Sequence, residues 1–397
     1  MFLTVSKRLE FSASRRLFSP EWNEAQNHAA FGDETSAKYG TGRNFVAWFV
    51  FTGSVDPSTG MLMNISEIKR RAGAVIDDRY DHRFLNEDNA AFAVVVPTAE
   101  NIARQLVNDV APLFANSGAT LTAVHLIESR ERSGTAFVDG ATEANFDFEF
   151  SAARRTTSPQ LSEAENTQLF GKAASLHGHH YRARLTIRGK DSLERYAALR
   201  TFCVDLQSEL DHGNLNDAIT VLRDRPMTTE NLARYIHDRA SAIASLDRVR
   251  LHERDDFFAE YGGTRGFLLG MQRPFSAAHR LQSYHISDVE NSAMYGKCNN
   301  PRGHGHLYIA EATVGGKFDE RSGTLFSFAH LNEALHDAIT PWENKHLDLE
   351  TEEFAKVPST GENIVQTLWP RVNARLDQRL ERLRLWETAN NRFTLRR

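Results

Sequence analysis

Two kinds of apolar pattern alternate along the chain. Phe45-Val46-Ala47-Trp48-Phe49-Val50-Phe51 is dense in aromatic and β-branched residues and stops at Gly53, which predicts a strand. Ile65 to Ile76 instead spaces its apolar residues for a helix. Thr98-Ala99-Glu100 opens a second helical stretch, Ile102 to Phe114, with Thr98 as its expected N-cap. Leu121 to Ile127 alternates and reads as a further strand. Two strands, two helices and two more strands predict an α+β unit with helices on one face of an antiparallel sheet.

The landmarks of this unit recur. Phe11-Ser12-Ala13-Ser14-Arg15 returns as Phe150-Ser151-Ala152-Ala153-Arg154 and as Phe275-Ser276-Ala277-Ala278-His279. Asp81-His82 returns as Asp211-His212 and, altered, as Lys345-His346. A Glu-Asn motif follows each time: Glu100-Asn101, Glu230-Asn231 and Glu362-Asn363. Each copy closes on an apolar segment ending in Glu128, Glu253 or Glu387. The period, roughly 125 to 140 residues, is that of a domain rather than a solenoid repeat. Turn-forming residues near Gly140 and Gly262-Gly263 place the boundaries, giving repeats over 1–140, 141–262 and 263–397.

Composition narrows the function classes. Of the 397 residues 41% are hydrophobic and 25% charged, as in a soluble globular protein. A formal charge of −5 offers no basic surplus for nucleic acid or anionic lipid, and no apolar run reaches the length of a membrane span. Two cysteines, Cys203 and Cys298, and no secretory signal point to a reducing, cytoplasmic setting without a disulfide. Cys203 lies inside Leu199 to Val204 and is assigned to packing.

The chemistry gathers in the third repeat. His304-Gly305-His306 on an extended strand puts two imidazoles on one face, and His279 on a neighbouring strand would bring a third. Three neutral imidazoles suit Zn2+ with a fourth position left open, the arrangement of a catalytic rather than a structural site. The first repeat has Arg15, Thr41 and Arg43 at the matching positions; the second keeps His177 and His179 but has Arg154. A fixed cation facing a dication is unfavourable, so neither is expected to hold metal. Cys298, six residues before His304, is expected to ionise beside a metal and act as a base; the second repeat has Ala173 near its place. Asp81-His82 and Asp211-His212 read either as acid–base dyads or as pairs satisfying loop backbone. Glu128, Glu253 and Glu387 need partners, either a ligand with two adjacent N–H donors or an arginine.

Taken together these motifs resemble the 6-pyruvoyltetrahydropterin synthase and 6-carboxytetrahydropterin synthase family, as three tandem copies over nearly the whole chain. Copy three carries Phe275-Ser276-Ala277-Ala278-His279-Arg280-Leu281, Cys298 to His306 and Glu387; copy one adds Gly60 to Ile65 and Asp81 to Asn86. The resemblance implies a T-fold, a four-stranded antiparallel sheet backed by two helices, three of which close into a barrel. One chain would be its own pseudo-trimer, and stacked barrels would make a homodimer. It further implies Zn2+ on His279, His304 and His306, Cys298 as base, and Glu387, with Thr360 nearby, holding the pterin. The substrate would be 7,8-dihydroneopterin triphosphate. Lys345 then stands where the dyad's aspartate belongs, before His346, so Asp81-His82 or Asp211-His212 is expected to complete the third site across an internal interface. Five residues between Cys298 and His304 favour the pyruvoyl over the carboxy product. The alternatives are the carboxy reaction and a catalytically impaired pterin-binding or scaffold protein.

Overall fold

The computed structural model describes residues 1–189 and 193–397. In the first repeat the strands are β1 (Phe2–Arg15), β2 (Thr41–Gly53), β3 (Ala119–Ile127) and β4 (Arg132–Phe137); in the second they are β5 (Thr142–Arg154), β6 (His177–Arg188), β7 (Arg248–Arg254) and β8 (Phe257–Tyr261). The third has β9 (Phe267–His279), β10 (His304–Val314), the two-residue β11 (Lys345–His346), β12 (Leu380–Thr388) and β13 (Asn391–Arg396). Neighbours pair in sequence through each repeat and across the seams β4–β5, β8–β9 and β13–β1. Among the described residues twelve strands thus close an antiparallel barrel, and β11 lies parallel against β9.

Each long strand is a two-sided wall, since successive side chains point to opposite faces. In β1, Val5, Phe11 and Ala13 are buried while Ser12 is exposed. The buried phenylalanine of each recurrent Phe-Ser-Ala motif stacks on an aromatic of the next strand. Phe11 meets Phe45 at 5.0 Å, Phe150 meets Tyr181 at 4.9 Å, and Phe275 meets Tyr308 at 5.0 Å. Two helices per repeat cover this face: Ile65–Arg79 with Ala99–Val110, Tyr196–Leu210 with Thr229–Ser241, and Phe328–Ile339 with Gly361–Arg375. Thr98 is the N-cap of its helix, although its hydroxyl makes no capping bond; Thr228 and Thr360 do cap theirs.

Each repeat also has a short helix that the apolar pattern does not announce: Glu24–Phe31, Glu163–Phe170 and Asp288–Tyr295, each begun by a capping box. A buried asparagine ties it down. Asn27 accepts from Ser19 N and donates to Ser19 O, and Asn166 and Asn291 repeat the pattern with Ser158 and Ser283.

The repeats interlock through a buried carboxylate at the start of the second long helix. Glu362 Oε1 accepts from Leu62 N of the first repeat at 2.9 Å, and Glu230 Oε1 accepts from Leu325 N of the third at 3.1 Å. Glu100 takes the hydroxyl of Tyr196 in the second repeat at 2.8 Å. The residue just before this glutamate faces the last strand of the repeat, and the two share one volume. The first repeat places Ala99 against Gly134, whereas the third places Gly361 against Phe393. A methyl on Gly361 would lie 2.0 Å from the Phe393 ring. Gly361→Ala should therefore destabilise the protein by about 1–3 kcal/mol. Adding Phe393→Leu should restore part of that loss, as read by the denaturant midpoint.

Candidate functional site

The barrel's pairing builds the third-repeat site. In β9 and β10, His279 pairs with His304 and Ala277 with His306, so all three imidazoles lie on the helix-covered face. Their rings sit 4.5 to 5.1 Å apart. His279 is fully buried, and its Nδ1 lies 2.9 Å from the Ser359 carbonyl, which fixes the proton there and leaves Nε2 as a lone pair. That Nε2 is 3.2 Å from His304 Nε2. Burial, with the neighbouring imidazoles, lowers His304 to about 4; burial lowers His306 also. Both shifts favour the neutral, lone-pair form of these two rings.

Two lone pairs cannot bond each other. Nitrogens about 2.0–2.1 Å from one tetrahedral ion, however, stand roughly 3.3 Å apart. His306 Nε2 is buried without a partner among the described residues, which leaves a third donor for the same ion. The residues fit Zn2+. Glu387 Oε1 is 3.9 Å from His279 Nε2, while Oε2 accepts from Asn391 Nδ2 at 3.0 Å. No arginine pairs with Glu387 among the described residues. Cys298 is half-buried nearby. Burial and the charge of Glu387 push its thiol up, and a cation beside it would act in the opposite direction.

The other repeats fill the same space with internal ion pairs. In the first, Arg15 occupies the position of His279 and is fully buried between Glu128 and Glu34, which it meets at 2.8 Å on the Glu34 side. Glu34 follows Gly32 as Cys298 follows Gly296, so repeat one carries at the cysteine's position a carboxylate that bridges Arg15 and Arg43. In the second, Arg154 pairs with Glu253 and bonds Thr229 at 2.9 Å. Arg154's charge holds Glu253 low against the effect of burial. His177, His179 and Glu253 bring donor atoms within 4.8 Å, and His179 Nε2 stands 3.1 Å from Glu253 Oε1. The two glutamates thus have arginine partners, and these pairs are buried rather than superficial.

The dyads require a correction. Asp81 Oδ1 accepts from Ser12 N at 2.8 Å and Asp211 Oδ1 from Ser151 N at 2.7 Å; the following histidine has a positive φ and donates its N–H to the same serine's carbonyl. In the third repeat Glu343 and Asn344 take these places: Asn344 N donates to Ser276 O at 2.7 Å, with φ 58°. Glu343-Asn344, not Lys345-His346, is therefore the equivalent pair, and Lys345 does not replace the aspartate. His346 instead packs against Gly303, where a methyl would lie 2.5 Å from its Nε2. His82 Nδ1 lies 2.7 Å from Asp81 and His212 Nδ1 2.8 Å from Asp211; both rings are over 80% exposed, at 84% and 83%. Among the described residues neither dyad bonds to the three-histidine cluster within one chain.

Two contributors escaped the sequence reading. Glu362, which burial pushes up to about 7, joins the site to the first repeat; its recurrent Thr-x-Glu-Asn setting was the available signal. Ser359, through its carbonyl, orients His279. Thr360 uses its hydroxyl to reach Gly60 O, at 2.6 Å, and to cap its helix.

Metal-stripped protein titrated with Zn2+ is expected to bind one ion per chain, and His304→Ala or His306→Ala to lose it. Arg154→His should raise the content to two by removing the cation that holds Glu253. A content still at one in that variant would show that the arginine is not what closes the second site.

A family model described as 6-pyruvoyl tetrahydropterin synthase matches residues 4–138, 143–264 and 269–397. The 6-pyruvoyl tetrahydrobiopterin synthase of Drosophila melanogaster is 39% identical over 131 residues, covering 32% of this chain and 78% of the fly protein. The Homo sapiens enzyme of that name is 41% identical over 119 residues, covering 30% of this chain and 82% of its own. The solved structure of Caenorhabditis elegans 6-pyruvoyl tetrahydropterin synthase is 33% identical and covers 33% of this chain and 96% of its own, with a TM-score of 0.31. Each relative spans about one repeat, and with three matches across nearly its whole length the chain belongs to the 6-pyruvoyl tetrahydropterin synthase family as three tandem copies.

Proposed function

We propose that the third repeat is a zinc-dependent lyase site that converts 7,8-dihydroneopterin triphosphate to a 6-pyruvoyl pterin with loss of triphosphate. The observation that carries this reading is the coexistence, in that repeat, of three lone-pair histidines and a glutamate without an arginine partner. In the other two repeats Arg15 and Arg154 occupy the glutamate.

Zn2+ on His279, His304 and His306 would supply Lewis-acid polarisation of the substrate's side-chain oxygens. Glu387, at the edge of this cluster, is placed to accept two adjacent N–H groups of a pterin ring. Cys298 is the base for the weakly acidic side-chain proton, as a thiolate when a cation offsets its burial. Reprotonation and the hydroxyl-to-ketone shift need a second acid–base group. Glu343-Asn344 has no imidazole, so this role falls to Asp81-His82 or Asp211-His212. Their exposed rings favour delivery to the site of a second molecule, in a homodimer of stacked barrels.

Zinc-loaded protein given the triphosphate should release tripolyphosphate and yield a 6-pyruvoyl product by mass. A 6-carboxy product with acetaldehyde would move the protein to the other branch of the family. Absence of turnover with zinc bound would leave a pterin-binding or scaffold role. Asp81→Ala combined with Asp211→Ala should lower turnover by about 10²–10⁴ while zinc content stays at one; surviving activity would remove the dyads from the mechanism.

A further inference from the structure

The arginines on the inner face of the barrel are unevenly paired with carboxylates. In the second repeat three inward arginines each have a carboxylate. Arg184 pairs with Asp147 at 2.6 Å, Arg248 with Glu143 at 2.7 Å, and Arg250 with Glu260 at 2.7 Å. The first repeat presents neutral groups there, among them Ser6 and His125, which burial and the surrounding arginines hold at about 3.

The third repeat differs. Alternation in β12 and β13 sends Leu383, Leu385, Phe393 and Leu395 to the helix-covered core and turns Arg382, Arg384, Arg392 and Arg396 inward. A single carboxylate, Glu311, serves both Arg382 at 3.4 Å and Arg384 at 3.2 Å. Arg392 reaches only Ser6 Oγ, at 3.4 Å, and lies over the Trp48 ring; Arg396 makes no ion pair among the described residues. Arg382 is 8% exposed, and the buried Nε atoms of Arg382, Arg384 and Arg392 have no partner among the described residues. A buried lysine can relieve such crowding by losing its proton. A guanidinium does not, so the charge must be met by a counter-ion.

We propose that this sector of the barrel lumen is a binding site for a multivalent oxyanion of the phosphate or polyphosphate class, held by Arg382, Arg384, Arg392 and Arg396. Guanidinium forks match tetrahedral oxyanions bidentately, and the hydroxyls of Ser6 and Thr313 lie among them. The site stands apart from the three-histidine cluster, because the histidines face the helix-covered side of the sheet and these arginines the other.

The test is thermal melting of full-length, zinc-loaded protein at constant ionic strength with tripolyphosphate, orthophosphate or sodium chloride. A saturable rise in Tm of about 3 °C with tripolyphosphate or orthophosphate, absent with chloride, is expected. A midpoint at least about tenfold lower for tripolyphosphate identifies a polyphosphate ligand, and equal midpoints a single phosphate. Arg392→Gln with Arg396→Gln should abolish the rise and leave zinc content and turnover unchanged. Ser6→Asp, which adds a carboxylate beside Arg392, should raise the anion-free Tm and shrink the response, an outcome that simple damage to the fold would not give. His304→Ala should keep the response. An equal rise with chloride, a rise that survives the double variant, or one that vanishes in His304→Ala would overturn the proposal.

Discussion

Pairing of the last strand with the first is the constraint from which the remainder follows. Phe2 to Lys7 ladder against Asn391 to Arg396, so two segments almost the whole chain apart become neighbours. Such long-range pairing costs closure entropy, which the repeats offset by burying apolar faces between each sheet and its helices. Once the ring is closed, each repeat must end against the next. The third-repeat site then borrows from the first: Leu62 N reaches Glu362, and Gly60 O receives Thr360. A linear arrangement of the same domains would leave that wall of the site open.

Within the ring, one largely enclosed carboxylate at the end of the third barrel strand of every repeat sets what the neighbourhood can be. A buried charge must have a partner or be neutralised. Glu128 and Glu253 meet an arginine projecting from the first strand of their own repeats. Glu387 faces His279 instead, so no fixed guanidinium stands at that position in the third repeat. The three repeats are therefore alternative surroundings for one carboxylate: an arginine from the first strand in two of them and a histidine in the third.

Much of this was legible in the residues. The Phe-Ser-Ala motif marks the first strand because its phenylalanine stacks on the second, and the His-x-His spacing survives as two residues on one face of β10. The correspondence of Arg15, Arg154 and His279 also follows from residue order, since strand pairing preserves it. What was hidden depends on backbone rather than residue type. Glu343-Asn344 is identified by a left-handed residue and its bond to Ser276, which residue similarity does not report. Glu34 does not resemble Cys298, yet both occupy one turn after a helix. The short capping-box helices are amphipathic too weakly to announce themselves.

The three-in-one chain also changes the law of mass action that governs the barrel. Three separate subunits form such a ring at a rate and to an extent set by their concentration, and dilution takes it apart. Here the β4–β5 and β8–β9 seams are hairpins, and the remaining β13–β1 seam is closed by ends already tethered to one another. Its effective concentration is fixed by the chain itself. The ring, and the wall the first repeat lends to the third, should persist undiminished at dilutions where a barrel of separate subunits would have fallen into pieces.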